Sequence, residues 1–225
     1  MSVLTPELRR EADAIVAKYP NSRSAVLPLL FLVQSAEGHV TEAGMREIAD
    51  ILNLTPAQVL AAASFYTMFK KQPQGTYLIS VCRNIACTHL GGRALIGELE
   101  TRLGIEAGQT TPDGKFTLEA AECLATCDGA PSMQINYEDF YKVTPDVAKE
   151  LVDKLERGEE VRSVRGEVVK DSRAISRETA LSGVRHTPDH MESLRTIGGE
   201  SPRVDTAPGF RPKVEGHKRD ADGDH

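Results

Sequence analysis

The sequence predicts an α+β fold in three parts, and three observations carry the prediction. Residues 5–70 show helical periodicity punctuated by caps. Residues 77–121 contain two β-branched apolar runs, each ending at a pair of cysteines. Beyond about Val169 both periods stop. The expected organisation is a helical bundle over residues 1–72, an α/β domain over residues 73–160 and an irregular or partner-bound extension over residues 161–225.

Four short helices are expected first. Thr5-Pro6 opens one, because Thr accepts a free backbone N–H and Pro fits a first turn that needs none. Leu8, Ala12, Ile15 and Val16 share its inner face, and Tyr19-Pro20-Asn21 ends it. A second runs from about Ser24 to Ala36 with Val26, Leu29, Leu30 and Val33 inward, stopped by Glu37-Gly38. Thr41 caps a third, whose inner face is Met45, Ile48, Ala49 and Leu52. Thr55-Pro56-Ala57-Gln58 opens a fourth with a capping box, followed by Val59, Leu60, Ala63 and Phe65. The aromatic run Phe65-Tyr66-Thr67-Met68-Phe69 reads as packing at a domain junction or as a docking surface. His39 reads as a solvated loop residue.

Tyr77–Val81 reads as a buried strand that delivers Cys82 at its C-terminal end, and a loop is expected to hold Cys87. A helix follows over about residues 91–103, with Ala94, Leu95 and Leu99 inward. Phe116–Ala121 is a second strand, delivering Glu122-Cys123. Met133–Asn136 and Phe140–Val143 read as further strands. Thr144-Pro145 starts a last helix with Val147, Leu151, Val152 and Leu155 inward.

The cysteines are the chemically informative residues. Four residues separate Cys82 from Cys87, three separate Cys123 from Cys127, thirty-five lie between the pairs, and the chain has no others. Four thiolates suit a tetrathiolate zinc site or a [2Fe-2S] cluster. The gaps fall inside the range used by zinc ligands, though they favour the larger object. Two disulfides, or a thioredoxin-type dithiol with two intervening residues, fit less well. If the two strands are neighbours, their loops face each other and the four sulfurs converge. Ala86, Ala125, Gly129 and Ala130 are small enough to let backbone approach, and Gly91-Gly92 adds flexible chain near the first pair. His89 reads as no ligand, Asp128 as a turn residue and Glu122 as a strand-end solvent contact.

Composition narrows the classes. The net charge of −6 argues against nucleic acid as a partner. No apolar run approaches the roughly 20 residues needed to span a bilayer, and the first residues lack the regions of a signal peptide. An intracellular protein without direct membrane insertion is expected. Residues 172–225 read as a solvated tail or as an arm over partner subunits, with Leu181, Met191, Leu194, Ile197 and Phe210 as anchors. His186, His190, His217 and His225 read as incidental.

The sequence resembles the 24-kDa subunit family of respiratory complex I, the NADH-quinone oxidoreductase. The stretches that carry the resemblance are Tyr19-Pro20, Arg23-Ser24-Ala25, Leu27-Pro28-Leu29-Leu30 and Phe65-Tyr66-Thr67-Met68-Phe69. Val81-Cys82 through Cys87, Glu122-Cys123 through Cys127 and Ala130-Pro131-Ser132-Met133-Gln134-Ile135-Asn136 complete it. It implies a thioredoxin-like domain after the helical bundle. It also implies one [2Fe-2S] cluster held by Cys82, Cys87, Cys123 and Cys127, exchanging single electrons with the FMN of a partner, the NADH-binding flavoprotein subunit. That subunit and the large iron-sulfur subunit are the implied neighbours, in a peripheral arm on the cytoplasmic face of the plasma membrane. NADH, FMN and quinone sites are expected on other chains, and no Gly-rich dinucleotide fingerprint follows a strand here. Ala125 stands where many relatives have Gly. The same domain occurs in small diaphorase subunits of NAD-linked hydrogenases and formate dehydrogenases, which is the alternative function. A zinc-stabilised scaffold protein is the alternative from another class.

Overall fold

A computed structural model describes residues 2–182. The expectations attached to Met191, Leu194, Ile197, Phe210 and the histidines from His186 onward lie outside the described residues.

The N-terminal helices start where their caps dictate. Helix α1 spans Pro6–Val16, and the Thr5 hydroxyl accepts from the Leu8 N–H at 3.3 Å. A 3-10 turn, Ser22–Ala25, leads into α2, Val26–Glu37. Helix α3 is Glu42–Leu52, capped by Thr41, and α4 is Pro56–Phe65, with the Thr55/Gln58 capping box formed. Helix α2 is the centre of this layer, burying Leu29, Leu30, Leu32, Val33 and Gln34 around most of its circumference. Leu8, Ala12 and Ile15 of α1, Ile48, Ala49 and Leu52 of α3, and Val59 and Ala63 of α4 close on it.

That core also takes a fifth helix from far along the chain. After a connecting segment that buries Val161 and Val169 in the other core, α8 forms over Ser172–Leu181 and buries Ala180 and Leu181 among the N-terminal helices. Residues 172–181 are therefore helical, where the sequence reading expects irregular chain. Asp171 caps the helix by accepting from the N–H groups of Arg173 and Ala174. Arg177 pairs with Glu7 and Glu11 of α1. Gln34 joins three segments: its amide donates to the Ser176 hydroxyl at 3.2 Å and to the Met68 carbonyl at 3.3 Å, and its oxygen accepts from the Lys70 N–H at 2.8 Å.

The second layer is a four-stranded mixed sheet, ordered β2-β1-β3-β4, from β1 (Tyr77–Cys82), β2 (Phe116–Ala121), β3 (Met133–Ile135) and β4 (Glu138–Phe140). Strands β1 and β2 run parallel, in register from Tyr77 opposite Phe116 to Cys82 opposite Ala121; the other pairings are antiparallel. A one-turn helix α5 (Ile85–His89) and then α6 (Gly92–Leu103) cross between the parallel strands, and α7 (Pro145–Glu156) follows β4. Ile79, Val81, Phe116, Leu118 and Ile135 pack with Leu95 and Leu99 of α6 and with Ala148, Val152 and Leu155 of α7.

Several local expectations differ from the structure. The hairpin β3–β4 turns at Asn136 and Tyr137, both at positive φ (49° and 70°), so Asn136 ends no strand and β4 precedes residues 141–143. Asn136 is buried in that conformation because its side chain accepts from the Leu78 N–H at 2.7 Å and donates to the carbonyls of Thr76 and Lys170. Phe65 is 77% exposed, and Leu60, Ala94 and Val147 also face outward. Of the aromatic run, Phe69 is the residue packed inward, edge-on to Phe31 with ring centroids 4.8 Å apart. No single helix among the described residues is long and apolar enough to cross a membrane.

Candidate metal centre

The parallel pairing of β1 and β2 decides where the cysteines go. Two parallel neighbours end at the same edge of the sheet, so the loops that follow leave side by side. Sites in α/β sheets collect beyond such strand ends. Cys82 closes β1 opposite Ala121, two residues before Cys123. The ladder continues one step further, since the Arg83 N–H donates to the Ala121 carbonyl at 2.8 Å. The side chains of Arg83 and Glu122 then pair across the gap, so Glu122 is more than a solvent contact.

The first pair is set in the interior. Asn84 accepts from the Ile85 N–H and starts α5, so Cys87 lies on a helical turn rather than in an open loop. The Thr88 hydroxyl ties that turn back to the Arg83 carbonyl at 2.7 Å. Cys82 and Cys87 are 3% and 1% exposed. The Cys87 Sγ lies 3.4 Å from the Ser132 Oγ, and the Cys82 N–H donates to the Ser132 carbonyl at 3.1 Å. Gly92 fits beneath both cysteines: a Cβ there would stand 2.8 Å from the Cys82 carbonyl oxygen and 2.9 Å from that of Cys87. Gly92 thus serves close approach rather than flexibility.

The second pair is at the surface, with Cys123 and Cys127 both exposed. Ala125 holds a positive φ of 58°, and its N–H donates to the Cys123 Sγ at 3.3 Å. This is the backbone-to-sulfur bond that small residues around the cysteines permit. Cys127 opens a 3-10 turn to Gly129, which lies against the ring of Tyr141 and has no room for a side chain. Ala130 and the partly buried Ala86 and Leu124 line the space around the buried thiols. The Thr126 hydroxyl, between the two surface cysteines, is shielded from solvent and has no hydrogen-bond partner.

The structure therefore brings the pairs to one sheet edge as two inner and two outer thiols. Among the described residues, no three His, Cys, Asp or Glu side chains gather around a single point. His89 and Asp128 are exposed. Sequence reasoning does not single out Ser132, Thr126 or the Arg83–Glu122 contact. The signal for the first is a hydroxyl residue directly after Pro131, where the chain passes back beside Cys87.

The residues fit a [2Fe-2S] cluster by their chemistry. There are four thiols in two pairs, an N–H already aimed at sulfur, small side chains around the pairs and an unpartnered hydroxyl in one ligand loop.

Comparison with known proteins agrees. The model of the thioredoxin-like [2Fe-2S] ferredoxin family matches residues 12–156. The E subunit of NADH-quinone oxidoreductase from Mycobacterium tuberculosis (strain H37Rv) is 46% identical over 171 residues, covering 75% of this chain and 68% of that protein. The E 2 subunit of the Rhizobium meliloti NADH-quinone oxidoreductase is 40% identical over 159 residues, 70% of this chain and 94% of that one. Among solved structures, the air-oxidised NAD+-reducing [NiFe]-hydrogenase superposes with a TM-score of 0.53 at 25% identity. That match covers 59% of this chain and 23% of the hydrogenase chain. The chain belongs to the thioredoxin-like [2Fe-2S] ferredoxin family, whose cofactor is one [2Fe-2S] cluster.

Proposed function

We propose that this chain is the [2Fe-2S] electron-transfer subunit of the NADH-oxidising module of an NADH-quinone oxidoreductase, with Cys82, Cys87, Cys123 and Cys127 as the ligands. The observation that carries the reading is the register of the two parallel strands, which brings two cysteine pairs to one sheet edge. The mycobacterial and rhizobial relatives, both components of NADH-quinone oxidoreductases, support the choice of complex.

The cluster, when bound, accepts and returns one electron. The chain's residues set the conditions for that exchange. Cys82 and Cys87 keep water from the inner side. The Ala125 N–H and the hydroxyl of Ser132 offer hydrogen bonds to thiolate sulfur, which favour the more negative reduced form. The outer thiols, with the exposed apolar residues Ile85 and Leu90, face the partner. NADH and FMN belong to the flavoprotein subunit, and the large iron-sulfur subunit is the second neighbour in a peripheral arm on the cytoplasmic face of the membrane. In this reading residues 1–72 are a helical bundle, residues 73–160 the cluster domain, and the extension from residue 161 returns α8 to the bundle.

The test is reduction by NADH. The full chain alone should stay oxidised when NADH is added, and should become reduced when the FMN-loaded flavoprotein subunit is present. Reduction without the flavoprotein, or none with it, overturns the proposal. The likeness to the hydrogenase favours a second reading, the small diaphorase subunit of an NAD-linked hydrogenase or formate dehydrogenase. Co-purification with such an enzyme rather than with membrane-bound quinone reductase subunits would select it.

A further inference from the structure

We propose that the Thr126 hydroxyl donates a hydrogen bond to a sulfur of the cluster and raises its reduction potential; this rests on the reading that the four cysteines hold that cluster. Thr126 lies between Cys123 and Cys127. Its loop is held on both sides: the Ala125 N–H bonds to the Cys123 Sγ at 3.3 Å, and the Gly129 N–H donates to the Thr126 carbonyl at 3.0 Å. The backbone is thus tied down, yet the hydroxyl is shielded from water with no protein partner.

Neighbouring hydroxyls behave differently. Thr88 donates to the Arg83 carbonyl at 2.7 Å, Ser80 donates to Glu119 at 2.9 Å, and Ser132 meets the Cys87 sulfur at 3.4 Å. Among the described residues three other buried side-chain atoms lack partners, on Glu11, Gln74 and Ser163, and none belongs to a loop that carries a cysteine. A buried hydroxyl is ordinarily hydrogen-bonded. The acceptor that chemistry supplies in this loop is anionic sulfur, from a thiolate or a bridging sulfide. A donor to that sulfur stabilises the reduced cluster more than the oxidised one, so the potential rises. Thr126 is in this sense a positioning residue for electron density and takes no part in ligation.

The experiment compares the full chain with Thr126→Val, which keeps the shape and removes the donor, and Thr126→Ser, which keeps the donor. Each is purified without air, assayed for iron and sulfide, and titrated for its midpoint potential by EPR. The valine variant should keep its iron and sulfide. At a fixed potential its reduced-to-oxidised ratio should fall about tenfold, a midpoint lower by about 59 mV for one electron. The serine variant should titrate with the wild type. A fully loaded valine variant with the wild-type midpoint overturns the proposal. If valine loses the cluster, Thr126→Ala takes its place and is judged by the same midpoint. A wild-type chain without iron and sulfide overturns the ligand assignment instead.

Discussion

Substituting Ala for Gly92 should disturb the cysteine loops, and the size of the effect follows from its surroundings. The added Cβ would stand 2.8 Å from the Cys82 carbonyl oxygen, 2.9 Å from the Cys87 carbonyl oxygen and 3.1 Å from the Cys87 carbonyl carbon. All three atoms are backbone, so none can swing aside as a side chain would. Forcing a methyl into such a space costs about 1–3 kcal/mol. The gain from replacing Gly by Ala in a helix is at most about 1 kcal/mol, so even after that offset a net loss of up to about 2 kcal/mol is expected. For a chain of 225 residues that corresponds to a fall in Tm of up to roughly 8 °C. Relief by movement of the loop should also lower the iron bound per chain. Gly97 is the internal control: it lies in the same helix, and a Cβ there would meet nothing within 4 Å. Gly97→Ala should therefore raise Tm, by roughly 1–4 °C. Thermal unfolding by circular dichroism, with iron analysis of the same samples, reads both. Equal shifts in the two variants, or a Gly92→Ala protein with wild-type Tm and iron, would refute the close-approach reasoning.

Leu181→Ala should destabilise the protein by about 2–5 kcal/mol in urea unfolding, because Leu181 is 2% exposed in the N-terminal core; a loss under about 0.5 kcal/mol would remove α8 from that core. Arg83→Ala should leave iron content unchanged and cost less than about 1 kcal/mol, since both partners of the Arg83–Glu122 pair are largely exposed; a cluster-free variant would contradict this. Glu47 supplies a pH dependence. Burial pushes its carboxyl up, but bonds from the Val3 and Leu4 N–H groups and the Ser2 hydroxyl outweigh burial and hold it below its ordinary 4.5. A depressed carboxyl binds fewer protons folded than unfolded, so its stabilisation is full above 4.5 and is lost as pH falls through the folded value. The stability difference between wild type and Glu47→Gln should accordingly shrink as the pH falls below 4.5, and a difference that grows on acidification would be the wrong sign.

How much of the fold and site is legible in the sequence depends on how local the cause is. Caps are local, so Thr5-Pro6, Thr41, Thr55-Pro56 and Thr144-Pro145 each mark a helix start that the structure retains. The strands that lead to the two cysteine pairs are equally plain, being short β-branched or apolar runs, and their pairing as neighbours is the condition the site needs. Helix α8 is not legible, because it turns only Ala180 and Leu181 fully inward among its apolar residues, and its other anchors are polar: Ser176 to Gln34 and Arg177 to Glu7 and Glu11. Such bonds to partners more than a hundred residues away leave no periodic trace. The turn at Asn136-Tyr137 is hidden for a related reason: alternation in Met133 and Ile135 suggests a longer strand, while the bonds that hold Asn136 come from Leu78, Thr76 and Lys170. Phe65 and Leu60 fit helical spacing and still face outward. Around the cysteines the ligand pattern is readable, whereas the Thr126 and Ser132 hydroxyls acquire meaning only from burial and distance.

The proposed function stands or falls with four thiolates holding one redox-active cluster. Iron, zinc and acid-labile sulfide analysis of the full chain purified without air, with an EPR spectrum after dithionite reduction, tests it most directly. Two irons and two sulfides per chain and a signal from one reduced [2Fe-2S] cluster are expected, all lost in Cys123→Ala. Zinc without sulfide and without signal would contradict it, leaving a protein that keeps the fold for a scaffold role.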